Sequence, residues 1–131
     1  MDALIYTRDD REYQTLKRIL AEEAGVADVH RGDPGTGNQH RHDYDLIIVA
    51  CDDQTGLRQI RKWKEVNEAI QIIWIAEDDY YMKEAFQLFV FDCFTRPYDE
   101  SRVRFAIRYV LPRCLNRHHW QFGPARRRID S

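Results

Sequence analysis

Two short, strongly apolar runs constrain the fold of this chain more than any other feature. Residues 46–51 read LIIVAC, and residues 70–76 read IQIIWIA. Short continuous runs rich in β-branched residues favour strands that are covered on both faces, as the strands of a parallel sheet are. The sequence therefore predicts a sheet with helices on both sides.

Segments with helical spacing lie between the apolar runs. Further strands are predicted over residues 3–6, 26–30 and 91–95, and helices over residues 11–24, 57–67, 79–89 and 101–111. Gly25 is expected to end the first helix, and Asp99 and Glu100 favour the start of the last. Parallel neighbours need right-handed crossovers. The alternation therefore predicts an α/β fold, a flavodoxin-like, doubly wound, five-stranded parallel sheet with strand order 2-1-3-4-5.

The connection between the second and third strands is the exception to this alternation. Residues 32–45 carry three glycines and a proline, which are poor helix formers. We expect the second crossover helix to be short, with at most one turn near Gln39 to His42, or to be missing. No Lys-Ser or Lys-Thr pair follows, so a surface loop is favoured over a phosphate-binding Walker loop.

Composition limits the class of protein. A length of 131 residues with 44% hydrophobic content indicates one domain. No run reaches the roughly 18 apolar residues of a spanning helix, and the N-terminus lacks a signal-peptide pattern, so we expect a cytoplasmic protein. Cys51, Cys93 and Cys114 contain no CxxC pair and are expected to be reduced thiols.

Histidines near the two polar segments raise the question of a metal site. His40 and His42 lie beside Asp43, and His118 is followed by His119. Their spacing fits neither one helix face nor a common zinc signature. We expect solvated surface histidines and no metal.

The segment DCFTRPYDESRV, residues 92–103, resembles the receiver domain of two-component response regulators. In receivers a strand ends in lysine and proline, followed by an aromatic residue and an acidic helix start. The aromatic-rich form is similar to receivers of LytTR-class transcription regulators. YDLIIVA and ALIYTRDD resemble the strands that carry the phosphoacceptor and the acidic pair. The resemblance implies a receiver-like domain over residues 1–112, followed at residues 113–131 by a basic tail or truncated linker.

A working receiver needs an aspartate nucleophile, carboxylates that bind Mg²⁺, a lysine and a hydroxyl that contacts the phosphoryl group. The resemblance places Ala50 at the nucleophile, Thr7 and Arg8 at the acidic pair, Ile75 at the hydroxyl and Arg96 at the lysine. We therefore expect a pseudo-receiver that is independent of phosphorylation. It is expected not to be an enzyme, to use no cofactor or metal, and to act through protein contacts.

Two alternatives stay open. Asp52 and Asp53 follow the third strand and are surrogate acids through which the chain would remain a phosphorylatable response regulator. A small ligand-binding module with its site at the carboxyl ends of the strands also fits the fold. Against phosphorylation, Arg8 and Arg96 are placed to form permanent ion pairs with these aspartates. The receiver pattern further implies a cis peptide before Pro97.

Aromatic residues are concentrated in the last two helices and the fifth strand. In the family that the chain resembles, this surface is used to dimerise or to bind effectors, so we expect a protein partner or a homodimer there. The candidate residues are Tyr81, Phe89, Tyr98, Arg102 and Tyr109. The basic tail has no base-reading element, so DNA binding by this chain alone is not expected.

Overall fold

The computed structural model describes residues 2–26, 28–32 and 44–122, with side chains as far as Cys114. The elements in chain order are β1 (Ala3–Thr7), α1 (Asp10–Ala24), β2 (Val29–Gly32), β3 (Leu46–Ala50), α2 (Asp53–Val66), β4 (Gln71–Ala76), α3 (Met82–Gln87), β5 (Asp92–Thr95) and α4 (Glu100–Phe122). All strands are parallel, in the order β2-β1-β3-β4-β5. The predicted fold class and strand order are confirmed.

The sheet separates two apolar layers. Side chains from alternate positions of β1, β3 and β4 pack against α1 and α4 on one face. The intervening positions pack against α2 and α3 on the other. Strands β1 and β3 are buried at every position, which explains their unbroken apolar sequences. Register pairs Thr7 with Ala50 at the carboxyl ends of these strands.

Capping residues fix the ends of α1. Asp9 accepts hydrogen bonds from the backbone amides of Arg11 and Glu12, at 2.8 and 3.2 Å. This cap places Glu12 in the first helical turn, directly after the end of β1. At the other end Gly25 has φ +64° and donates to Ala21 O at 3.0 Å, which confirms the predicted helix stop.

Two helix boundaries differ from the prediction for local reasons. Helix α2 begins at Asp53 because Asp52 caps it, accepting from the Thr55 amide at 3.1 Å. Helix α3 covers only Met82–Gln87, half of the predicted segment. Asp78 accepts from the Tyr80 amide in a turn before it, and Phe89 has φ +62° after it. An aromatic residue in the left-handed region cannot continue a helix.

Helix α4 continues beyond Leu111, where the predicted helix ended, and reaches Phe122. Pro112 is exposed, whereas Val110 and Cys114 on either side of it are fully buried in the α1/α4 layer. Burial on both sides outweighs the backbone hydrogen bond that proline cannot make. The domain boundary at residue 112 stays a prediction. Residues 33–43, which include the second crossover and His40 and His42, and the tail beyond Phe122 lie outside the described residues, as do the side chains of His118 and His119.

Arginine and glutamate side chains join α4 to α1. Glu23 accepts from Arg104 Nη1 at 2.7 Å and from Arg108 Nε at 2.6 Å. These hydrogen bonds, that of Arg108 first, hold the pKa of the Glu23 carboxyl at about 2, below its ordinary value of 4.5. The ion pairs fix the position of α4 across the α1 face of the sheet.

Candidate functional site

The carboxyl ends of the strands border an open cleft of about 300 Å³. It contains most of the positions at which a receiver carries its phosphorylation chemistry. The lining residues are Thr7, Arg8, Asp9, Ala50, Cys51, Asp52, Glu77 and Arg96. The structure thus brings Thr7, Arg8, Ala50 and Arg96 together at one edge of the sheet, and their correspondence to receiver site positions stays a prediction.

Glu12, to which the sequence analysis assigned no role, contacts two of the residues that line the cleft, Thr7 and Arg96. Its side chain is only 8% exposed. Oε1 accepts from Thr7 Oγ1 and from Arg96 Nη2, both at 2.8 Å. Oε2 accepts from Tyr98 Oη at 2.6 Å and from Arg96 Nε at 3.3 Å. One carboxylate therefore connects α1, the end of β1 and the connection between β5 and α4.

The contacts of Glu12 affect the protonation of Arg96 and Tyr98. Burial opposes the charge on Arg96, but the hydrogen bond and the charge of Glu12 outweigh it and raise the pKa of Arg96. Burial, together with the hydrogen bond to Glu12, raises the pKa of the Tyr98 hydroxyl well above its ordinary value. Tyr98 therefore stays protonated and donates a hydrogen bond to Glu12 throughout the physiological pH range.

Two arginines cover backbone carbonyls at the strand ends. Arg96 Nη2 donates to Ala50 O at 2.8 Å. Arg31 donates to Thr7 O from Nε at 3.2 Å and from Nη2 at 3.0 Å, and to Asp10 Oδ1 at 2.6 Å. Carbonyl oxygens are ligands that a divalent cation uses. At the ends of β1 and β3 these oxygens face guanidinium groups.

The two surrogate acids have other contacts. Asp52 caps α2, and its hydrogen bond from the Thr55 amide lowers the pKa of its carboxyl. Asp53 accepts from the backbone amides of Glu77 and Asp78, at 2.8 and 3.3 Å, and so holds the loop after β4. Both carboxylates support backbone structure at the rim of the cleft.

The predicted ion pairs between arginines and aspartates are only partly observed. Arg8 Nη2 lies 3.9 Å from Asp52 Oδ2, with both side chains about half exposed, so this contact is weak. The prediction was wrong for Arg96, which turns to Glu12. Glu12 offers a nearly buried carboxylate with room for a bidentate contact, whereas the carboxylates of Asp52 and Asp53 accept from backbone amides.

Ile75, which the resemblance places at the hydroxyl position of a receiver, is fully buried in the α1/α4 layer. Among the residues that the structure describes, no group of three or more His, Cys, Asp or Glu side chains is arranged to hold a metal ion. The Arg96–Pro97 peptide is cis, as the receiver pattern implied.

The aromatic surface is only partly as predicted. Phe89 is 81% exposed and Tyr109 61%, whereas Tyr81 is half-buried. Phe105, which was not among the candidates, is 53% exposed and packs against Tyr109 with ring centroids 4.6 Å apart. The rings of Phe105 and Tyr109 form an exposed aromatic stripe on α4.

Two predicted surface residues have internal roles. Tyr98 was expected on the partner face, but its hydroxyl is directed into the site and its ring packs against Phe94. Arg102 makes a bidentate ion pair with Asp92, at 2.7 and 2.9 Å, and lies over the Phe94 ring at 4.4 Å. Both residues hold α4 against β5.

A signal for Glu12 was present in the sequence. The first turn of a helix that follows a parallel strand lies at the carboxyl edge of the sheet, where sites in this fold class form. Helical periodicity places Glu12 in that turn, five residues after Thr7. The resemblance instead places the acidic pair at the end of the strand itself, at Thr7 and Arg8.

The sheet order, the cleft at the strand ends and the cis proline define the fold of a response regulator receiver domain. The response regulatory domain of protein mrkE from Klebsiella pneumoniae superposes with a TM-score of 0.69 at 20% identity, covering 88% of this chain and 99% of that one. Response regulator RPA3017, in red light signaling of R. palustris, gives a TM-score of 0.55 at 15% identity, covering 84% and 91%. No family model and no curated protein sequence matches the chain. The likeness is one of fold.

Within the described residues, no helix combines the length and apolarity needed to cross a membrane.

Proposed function

We propose that this chain is a phosphorylation-independent pseudo-receiver of a two-component, LytTR-type regulatory system. It acts in the cytoplasm by binding a protein partner or a second copy of itself, without catalysis of its own. The observation that carries the proposal is the ion pair between Glu12 and Arg96 beside Ala50, at the edge of the sheet where a receiver is phosphorylated.

The chemistry of the site supports this proposal. Formation of an acyl phosphate requires a carboxylate nucleophile, and Ala50 presents a methyl group. The arginine at the lysine position is engaged by Glu12 and by Ala50 O. The two surrogate acids, Asp52 and Asp53, accept hydrogen bonds from backbone amides. A new phosphoacceptor would have to leave these contacts.

A phosphotransfer assay tests the proposal. The full chain is incubated with acetyl phosphate and Mg²⁺, and its intact mass is compared with that of a receiver that retains its aspartate. We expect no phosphoryl adduct on this chain and an adduct on the control. An adduct that disappears in Asp52→Asn or Asp53→Asn would refute phosphorylation independence and identify the surrogate acid.

The exposed aromatic stripe supports action through protein contacts. Phe105 and Tyr109 lie on α4, and Phe89 lies between α3 and β5. Clustered exposed aromatic side chains are typical of binding surfaces. The mass of the native chain in solution is compared with those of Phe105→Ser and of Val66→Ser, a control that removes an exposed apolar side chain from α2. We expect self-association that only Phe105→Ser weakens. If all three chains are monomeric, the homodimer is excluded.

A further inference from the structure

The Glu12 carboxylate fills a pocket whose donors are those of an oxyanion-binding site. Arg96 supplies two guanidinium nitrogens, and Thr7 and Tyr98 supply one hydroxyl each. A planar guanidinium with converging hydroxyl donors binds carboxylates and phosphates alike. The pocket is therefore selective for an oxyanion, and in this chain a side chain provides it.

The donors are positioned by elements other than the helix that carries Glu12. Thr7 ends a strand that is buried at every position, and Arg96 and Tyr98 directly follow β5 on either side of Pro97. Arg96 is additionally held by Ala50 O, an acceptor that does not depend on Glu12. Thr7 and Arg96 should therefore stay in place when Glu12 is shortened, whereas Tyr98 loses the acceptor of its hydroxyl.

The hydrogen bond between Glu12 and Tyr98 also connects the site to α4, which carries the aromatic stripe. Tyr98 lies two residues before the start of α4, and its ring packs against Phe94. Arg102, in the first turn of α4, lies over the same Phe94 ring. The orientation of Tyr98 is thus transmitted to the beginning of α4 through direct contacts.

We infer that Glu12 is an internal oxyanion ligand that holds the β5–α4 connection in one conformation, and that removing its carboxylate opens a site for a free carboxylate or phosphate ion. The inference rests on the proposed function, because a chain that carries its own anion needs no transferred phosphoryl group to set this connection.

Chemical rescue of Glu12→Ala tests the inference. Thermal unfolding of the variant is measured in sodium chloride, sodium acetate and sodium phosphate at equal ionic strength. We expect the Tm to rise with acetate or phosphate and to saturate at a gain of about 3 °C or more, since a ligand that binds only the folded state stabilises it. In a ¹H–¹⁵N spectrum, the amide signals of Phe94, Tyr98 and Arg102 should return toward their native positions.

Matched variants separate this site from a general salt effect. Asp10→Ala removes a carboxylate from the same helical turn that pairs with Arg31 at the rim, and it should show no anion response. The double variant Glu12→Ala/Arg96→Ala should also lose the response. If Glu12→Ala is unfolded in chloride, folding on addition of either anion supports the inference.

An equal response from the native chain, or no response of Glu12→Ala to either anion, would overturn the inference. The phosphotransfer assay is made on the native chain, and the rescue is made on the variant. Failure of one is therefore distinguishable from failure of the other.

Discussion

Replacing Glu12 with glutamine should reduce stability more than any exposed ion-pair substitution in this chain. Glutamine keeps the size of the side chain but removes its charge, and its amide places a donor against Arg96 or Tyr98. Breaking a fully buried ion pair costs about 3–5 kcal/mol. Arg96 is 33% exposed and keeps its hydrogen bond to Ala50 O. We therefore expect a loss of about 2 kcal/mol in the free energy of unfolding, below the buried-pair range.

Urea unfolding measures this loss. Trp63 and Trp74 are almost fully buried in the α2/α3 layer, so their fluorescence reports global unfolding. The midpoint should fall while the dependence on urea concentration stays unchanged. Glu84→Gln, which breaks the exposed contact between Arg61 and Glu84, is the matched control and should cost less than about 0.5 kcal/mol.

A double-mutant cycle with Arg96→Met isolates the interaction of the pair. We expect a coupling energy of about 1.5 kcal/mol between Glu12 and Arg96, in the range for residues in direct contact. A coupling below about 0.5 kcal/mol, or a stability of Glu12→Gln equal to that of the control, would refute the reasoning that this ion pair closes the site.

Three further predictions follow from other parts of the structure. Gly25→Ala places a side chain at φ +64° and should cost about 1 kcal/mol, whereas Gly32→Ala places a Cβ 2.5 Å from the Tyr6 ring and should cost about 2 kcal/mol, both measured by urea unfolding. The pKa of the Glu23 carboxyl is lowered to about 2 from 4.5, so its contribution to folding stability is present above pH 4.5 and is lost as the pH falls toward 2. The stability of Glu23→Gln should therefore depend less steeply on pH in this window, and an unchanged slope in acid unfolding would contradict the assignment. Burial raises the pKa of the Cys51 and Cys93 thiols to about 12, so iodoacetamide at pH 8 should label both in urea and neither in the folded chain, as read by the masses of the peptides that contain them.

The sequence was sufficient for the central strands β3 and β4 because each is a short, mainly apolar run whose burial on two faces leaves a direct compositional mark. LIIVAC and IQIIWIA locate β3 and β4 to within one residue at each end. The order of strands was predicted from the alternation of strands and helices, which is typical of a flavodoxin-like sheet. The predicted last helix ended at Leu111, and its extension past Pro112 was missed because it depends on the tertiary burial of Val110 and Cys114.

The partners of the site residues were harder to predict from the sequence than their positions, because they also depend on tertiary structure. Positions at strand ends, such as Thr7 and Ala50, are fixed by the register of the sheet and could be named. The partner of Arg96 depends on which carboxylate lies within reach of a long side chain. The sequence offered Asp52 and Asp53 nearby, and their engagement with backbone amides became visible only in three dimensions. Tyr98 was assigned to the surface because its ring, considered alone, carries no sign of the direction of its hydroxyl.

Arg96 Nη2 donates to both Glu12 and Ala50 O. These two contacts restrict the order in which mutations could introduce phosphorylation at position 50. An aspartate introduced at position 50 first would bring a second carboxylate toward one that already holds Arg96, and like charges at close range oppose ionisation of both. Loss of Glu12 before that step leaves Arg96 available to the new aspartate. If the proposed phosphorylation independence holds, the introduction of phosphate control therefore begins at Glu12 on α1, away from the strand end where the phosphate would be carried.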